Sequence, residues 1–169
     1  MPAELGRTSR SKFGVTFTGI PELSRQLSRD GEAWKRVQQG AVKGMIENTE
    51  DLLGRSMRDA PIDEGTLRAS GSAVVLANGK PVARRGFAKV AGQPEMPQMA
   101  ERGGIMEGGL GDAVVGEVGF NTPYALVQHE RLDFHHPRGG KAKYLEDNLK
   151  GQAGRYFEHL RGCIREALA

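Results

Sequence analysis

Residues 32–58 read EAWKRVQQGAVKGMIENTEDLLGRSMR. Within them Trp34, Val37, Ala41, Met45, Thr49, Leu52 and Ser56 recur at steps of three and four, with Val42, Ile46, Leu53 and Met57 alongside. Side chains at that spacing share one face of an α-helix, so the stretch predicts one long amphipathic helix. Lys35, Arg36, Lys43, Glu47, Glu50, Asp51 and Arg55 fall mostly on the opposite side. Gly40, Gly44 and Gly54 weaken such a helix by up to ~1 kcal/mol each relative to alanine. Glycines four residues apart either admit a second helix at close range or are simply tolerated. Pro61 ends the pattern, because a proline biases the residue before it, Ala60, away from helical geometry.

Downstream, Pro61, Asp63 and Gly65 supply the chemistry of a structural turn. Thr66 either caps a short helical turn or opens a strand. Residues 70–77 read as a strand centred on Val74, Val75 and Leu76, and Asn78-Gly79 is a hairpin signal because both residues accept positive φ. Residues 82–90 form the expected return strand. Residues 113–120 give a further strand, and 124–129 continue as a strand or a short helix. From Tyr144 the helical period returns through Leu145, Leu149, Ala153, Tyr156 or Phe157, Leu160, Ile164 and Leu168.

Upstream, residues 13–18 alternate apolar and polar like a short strand. Residues 19–23 turn into a helix start, with Leu27 four residues after Leu23. Residues 1–12 have the composition of a flexible arm. Residues 91–112 hold six glycines, two prolines and three of the six methionines, and have no sustained period. They read as a long mobile loop whose Met96, Met99 and Met106 are adaptable contact residues. The expectation is one α+β domain over 13–169. It has an antiparallel sheet of about four strands and two long helices packed on one face.

The totals exclude several functions. The chain has 169 residues and a net charge of +3, with basic residues spread along its length. No concentrated patch exists to release counterions from nucleic acid, so specific DNA recognition is not expected. No apolar run reaches the ~18–20 residues that span a bilayer, and no secretory signal pattern opens the sequence. A soluble protein made in the cytoplasm, without membrane partners, is the expectation. The single cysteine, Cys163, cannot form an internal disulfide, and in a helical pattern it reads as a small, partly buried side chain.

His129, Glu130, Asp133, His135 and His136 are zinc-type donors, yet their spacing is wrong. The zinc-protease helix needs two histidines four apart, whereas His129 and His135 are six apart and His135-His136 are adjacent. No Gly-x-Ser-x-Gly elbow accompanies a serine, and no phosphate-binding glycine loop is present. Catalysis, a metal and a cofactor are therefore not expected. A metal-dependent enzyme using residues 129–136 stands as the alternative of another class.

Two segments carry a resemblance. Residues 60–70, Ala-Pro-Ile-Asp-Glu-Gly-Thr-Leu-Arg-Ala-Ser, resemble the "aPvdTGrLraS" stretch of tailed-phage minor capsid and tail-component proteins. Residues 118–130, Val-Gly-Phe-Asn-Thr-Pro-Tyr-Ala-Leu-Val-Gln-His-Glu, resemble their "vgfntpYAlyqHE" stretch. As in many such proteins, His136-Pro-Arg-Gly-Gly-Lys-Ala-Lys-Tyr-Leu145 and a final helix follow. Residues 19–23 also look like the family's start. The resemblance spans roughly 13–168; Glu64, where the family often has threonine, and the insertion at 91–112 depart from it. It implies a non-enzymatic virion protein of the neck or upper tail, in head–tail joining, tail completion or, alternatively, tail termination. It also implies a hexameric ring around the DNA channel, in contact with other neck, head-completion and tail-tube proteins. On that reading Tyr124, His129 and Glu130 are candidates for the subunit interface.

Overall fold

The computed structural model describes residues 10–15, 31–62, 65–86 and 114–169. Among the described residues, eight elements follow in chain order: β1 (Arg10–Val15), α1 (Gly31–Asp59), α2 (Thr66–Ala69), β2 (Gly71–Ala77), β3 (Lys80–Gly86), β4 (Val114–Phe120), α3 (Ala125–Glu130) and α4 (Glu146–Leu168). The four strands form one antiparallel sheet in the order β1-β4-β2-β3, and α1 and α4 pack against it. The expected α+β architecture is the one observed.

The hairpin between β2 and β3 turns on Asn78 and Gly79, at φ 53° and 74°. Two adjacent residues with positive φ match the right-handed twist of the flanking strands. Ala77 pairs with Lys80 and Leu76 with Pro81, but Val75 pairs with Ala83, so Val82 is an extra residue in the ladder. The return strand thus begins two residues before the expected 82. β4 lies between β1 and β2, pairing Val114 with Val15 and Ala77, and Gly119 with Arg10 and Ser72.

The N-terminal expectation needs correction. The strand expected at 13–18 is observed at Arg10–Val15, so Arg10, Ser11 and Lys12 belong to the sheet and not to a flexible arm. Strand pairing uses backbone groups, so polar side chains do not prevent it. The expected helix start at 19–23, the turn residue Asp63 and the whole of 91–112, with Met96, Met99 and Met106, lie outside the described residues.

On α1, Val37, Ala41, Met45, Thr49, Leu52 and Ser56 are all buried, with Leu53 beside them. Leu52 and Leu53 meet Ala73 of β2, Val118 and Phe120 of β4, and Tyr156 of α4 in one cluster. Ala41 and Met45 meet Val75, Val114 and Leu160 in a second. On the sheet's other face Val74 and Leu76 are buried as a pair. Between Tyr156 and Phe157, left open by the periodicity, the core takes Tyr156; Phe157 is exposed.

Gly40 and Gly44 of α1 mark where α4 crosses. A Cβ built on Gly40 would lie 2.7 Å from the Cys163 carbonyl oxygen and from Ile164 Cα. One on Gly44 would lie 3.1 Å from Leu160 Cδ1, whereas one on Gly54 meets nothing nearer than Arg58 at 3.9 Å. Close approach is the reason for the first two and not for the third.

Candidate functional site

The two segments that carry the resemblance, and residues 136–145 that follow them, meet in space. The chain leaving α1 runs beside residues 139–141: Ile62 N–H donates to the Gly139 carbonyl (3.1 Å) and Lys141 N–H to that of Asp59 (2.9 Å). Gly140, at φ 95°, packs so tightly on Pro61 that a Cβ there would sit 2.4 Å from Pro61 Cα. A left-handed backbone with no room for a side chain admits only glycine.

Arg68 of α2 folds back onto the end of α1. Its Nε donates to the Ala60 carbonyl (2.9 Å) and its Nη2 to that of Arg58 (2.6 Å), satisfying acceptors that a helix C-terminus leaves open. Ser70 then links the first segment to the second, donating from Oγ to the Leu67 carbonyl and accepting from Asn121 N–H (3.1 Å). Gly65, at φ 80°, occupies the position before α2 with no side-chain cap, so its role is the backbone reversal expected of it. Thr66 is the first residue of α2 and opens no strand.

Residues 125–130 form a short helix, α3, so the strand alternative is set aside; His129 and Glu130 close a helix. Tyr144 lies beneath it, fully buried, donating from its hydroxyl to the Ala125 carbonyl (3.2 Å). Its ring meets Phe120 and His129 edge to face, at centroid distances of 4.9 and 5.0 Å. His129 is buried. Its Nδ1 is 2.7 Å from Glu130 Oε1, and its Nε2 is 3.3 Å from the backbone N–H of Glu146. An acceptor at Nε2 and a carboxylate at Nδ1 assign the proton to Nδ1.

Lys143 completes the joint. It holds φ 54°, unusual for a residue with a side chain, a conformation that costs roughly 1–2 kcal/mol. In return its N–H donates to the His129 carbonyl (2.8 Å), while its ammonium pairs with Glu130 and, at 3.0 Å, with Glu146. Lys143 and His129 together hold the Glu130 carboxyl below its usual range. Lys150 and Lys143 bring Glu146 down to about 2.

His129 is therefore spent inside the subunit, as a clasp between α3 and the start of α4. The large apolar side chains this joint leaves in solvent are Tyr124, Val127 and Leu132, with Glu130 half exposed beside them. The sequence pointed to Tyr124 and Glu130; nothing in a linear pattern pointed to Tyr144, Lys143 or Arg68 as their supports.

The zinc-type set of residues 129–136 does not gather. Asp133 is held by Arg131 through two hydrogen bonds of 2.8 and 2.7 Å, which, with its own backbone, bring its pKa down to about 2. Among the described residues, the donors that converge are Glu47, His159 and Cys163, on the helices. No helix among the described residues is long and apolar enough to cross a membrane.

Comparison with protein families, with curated proteins and with solved structures found no match to this chain.

Proposed function

We propose that the chain is a structural, non-enzymatic subunit of a tailed-bacteriophage virion, one member of a ring in the neck or upper tail. There it completes the tail or joins it to the head around the DNA channel. Its partners are copies of itself, in a hexameric ring, and the neighbouring neck, head-completion and tail-tube proteins. One observation carries the reading: the described residues of 60–70, 118–130 and 136–145, which bear the resemblance, are bonded to one another and to Asp59 and Glu146 in a single joint. The joint spends His129, Arg68 and Lys143 on internal bonds, the use a rigid building block makes of them.

The same joint presents Tyr124, the residue before α3, and Val127, on its first turn, to solvent three residues apart. An exposed aromatic ring with a polar tip next to a branched apolar side chain suits a contact between subunits. A head-to-tail contact of that kind closes into a ring when its rotation divides the circle.

Cryo-electron microscopy of purified virions tests the role directly. A ring of this chain at the head–tail junction is the expected result, and its absence from virions would overturn the proposal. For the interface, Tyr124→Ala with Val127→Asp leaves the monomer folded by circular dichroism and abolishes the ring in mass measurements. Rings of unchanged size in that variant would remove α3 from the contact.

A further inference from the structure

Away from the joint, the seam between α1 and α4 holds a second set of polar side chains. His159 and Cys163 lie four residues apart on α4, a spacing that brings two side chains to one helix face. Glu47 reaches the same point from α1. His159 Nε2 lies 2.6 Å from Glu47 Oε2 and 3.6 Å from Cys163 Sγ, and the three donor atoms all fall within 4.8 Å of one another. One ring nitrogen thus faces both other donors, so the three converge on a common point.

We propose that Glu47, His159 and Cys163 bind a divalent cation of the zinc class. The donor chemistry selects it: thiolate and imidazole favour zinc over magnesium or calcium, which prefer all-oxygen sites. So does the geometry. With metal–sulfur and metal–nitrogen bonds of about 2.3 and 2.0–2.1 Å, tetrahedral angles put the two donors roughly 3.5–3.6 Å apart. The sulfur–nitrogen distance here is 3.6 Å. The glutamate oxygen, now at hydrogen-bond distance, must draw back by less than about 1 Å to reach the ~3.3 Å separation of two ligands on one ion. Its half-exposed side chain can do so by a small rotation.

Charge balances as well. Burial pushes the Cys163 thiol up, so the ion displaces its proton on binding: the S–H bond breaks, the metal–sulfur bond forms, and one proton leaves to solvent, while the ring proton that the Glu47 carboxylate holds on His159 Nε2 passes by way of water to Nδ1 and frees the Nε2 lone pair for the ion. A thiolate and a carboxylate then neutralise the two positive charges. Cys163 cannot drift from its place, because its carbonyl rests against Gly40 and its Cβ against the space above Gly44. His159 and Glu47 are about half exposed, which leaves the fourth position to water. The cation would tie α1 to α4 at their crossing, independently of any role in a virion.

The test uses the full chain without a histidine tag, stripped by a chelator and titrated with cobalt(II), then zinc. The expected result is one equivalent of cobalt with a thiolate-to-metal charge-transfer band, displacement by zinc, and a raised thermal midpoint in zinc. His159→Ala and Glu47→Gln change exposed positions and keep the fold. Each weakens binding by at least ~100-fold, beyond the loss typical of a supporting residue. Cys163→Ser abolishes the band; should it fail to fold, His159→Ala carries the test alone. Absence of a stoichiometric thiolate band overturns the proposal. So does binding that survives His159→Ala and vanishes in the His135→Ala His136→Ala variant.

Discussion

Replacing single glycines of α1 by alanine measures how closely the two long helices pack. Gly54→Ala adds a methyl that meets nothing nearer than 3.9 Å, so only the helix preference for alanine operates, worth about 0.5–1 kcal/mol of stabilisation. Gly40→Ala gains the same preference but drives a methyl to 2.7 Å from backbone atoms of Cys163 and Ile164, which cannot rotate away. Overpacking of that kind costs about 1–3 kcal/mol, so the net change is a loss of up to about 2.5 kcal/mol. Gly44→Ala falls between them: Leu160 Cδ1, at 3.1 Å, can move, and Cys163 Cβ and Leu160 Cα, at 3.2 Å, need give by only a few tenths of an ångström. In a chain of this size 1 kcal/mol moves the thermal midpoint by roughly 2–4 °C. Thermal and urea unfolding of the three variants should therefore rank them Gly54→Ala above wild type, Gly44→Ala near it and Gly40→Ala below it. If Gly40→Ala is as stabilising as Gly54→Ala, the helices do not touch at residue 40 and the crossing described above is wrong.

The joint offers two further checks. Gly140→Ala meets Pro61 at 2.4 Å and forces a side chain to φ 95°, whereas Gly139→Ala, at φ 96°, has only Ile62 at 4.0 Å. Urea unfolding should show the first losing about 3 kcal/mol or failing to fold, and the second losing only the ~1–2 kcal/mol of a left-handed residue. Acid should loosen the same region. Glu130 and Glu146 titrate below the ~4.3 of an unfolded glutamate, so their contribution is present above that pH and is lost as pH falls through the folded values, about 2 for Glu146. Urea midpoints followed from pH 6 down to pH 2 at low salt should fall less steeply in Lys143→Met; an unchanged slope would show that the lysine does not hold them.

Much of this architecture can be read directly from local pattern. The stripe on α1 names its own core residues, because a 29-residue helix gives the 3.6 period eight turns in which to show itself. Asn78-Gly79 specifies its turn, since few other pairs accept two positive φ values. Residues 125–130 are ambiguous for the opposite reason: at six residues, Ala-Leu-Val-Gln-His-Glu fits either period, and the tertiary bonds of Tyr144 and Lys143 select the helix. β1 was misplaced because an edge strand pairs through its backbone, which composition does not report. His129, a candidate for the subunit interface, is buried, and its burial depends on an N–H at residue 146 that only the fold brings near. Glu47 and His159, 112 residues apart, show no relation until the helices cross.

The crossing of α1 and α4 also sets a schedule for synthesis. Residues 60–145 separate the two helices, and at roughly 5–20 residues per second a ribosome needs on the order of ten seconds to make them. For that interval the newly made α1 has no α4 to cover it. Its buried stripe is diluted for the wait: Gly40, Gly44, Asn48, Thr49 and Ser56 alternate with the large apolar side chains, so no run of exposed hydrocarbon is long enough to seed aggregation. Substituting leucine across these small and polar positions would give the nascent chain a stickier face well before its partner helix exists.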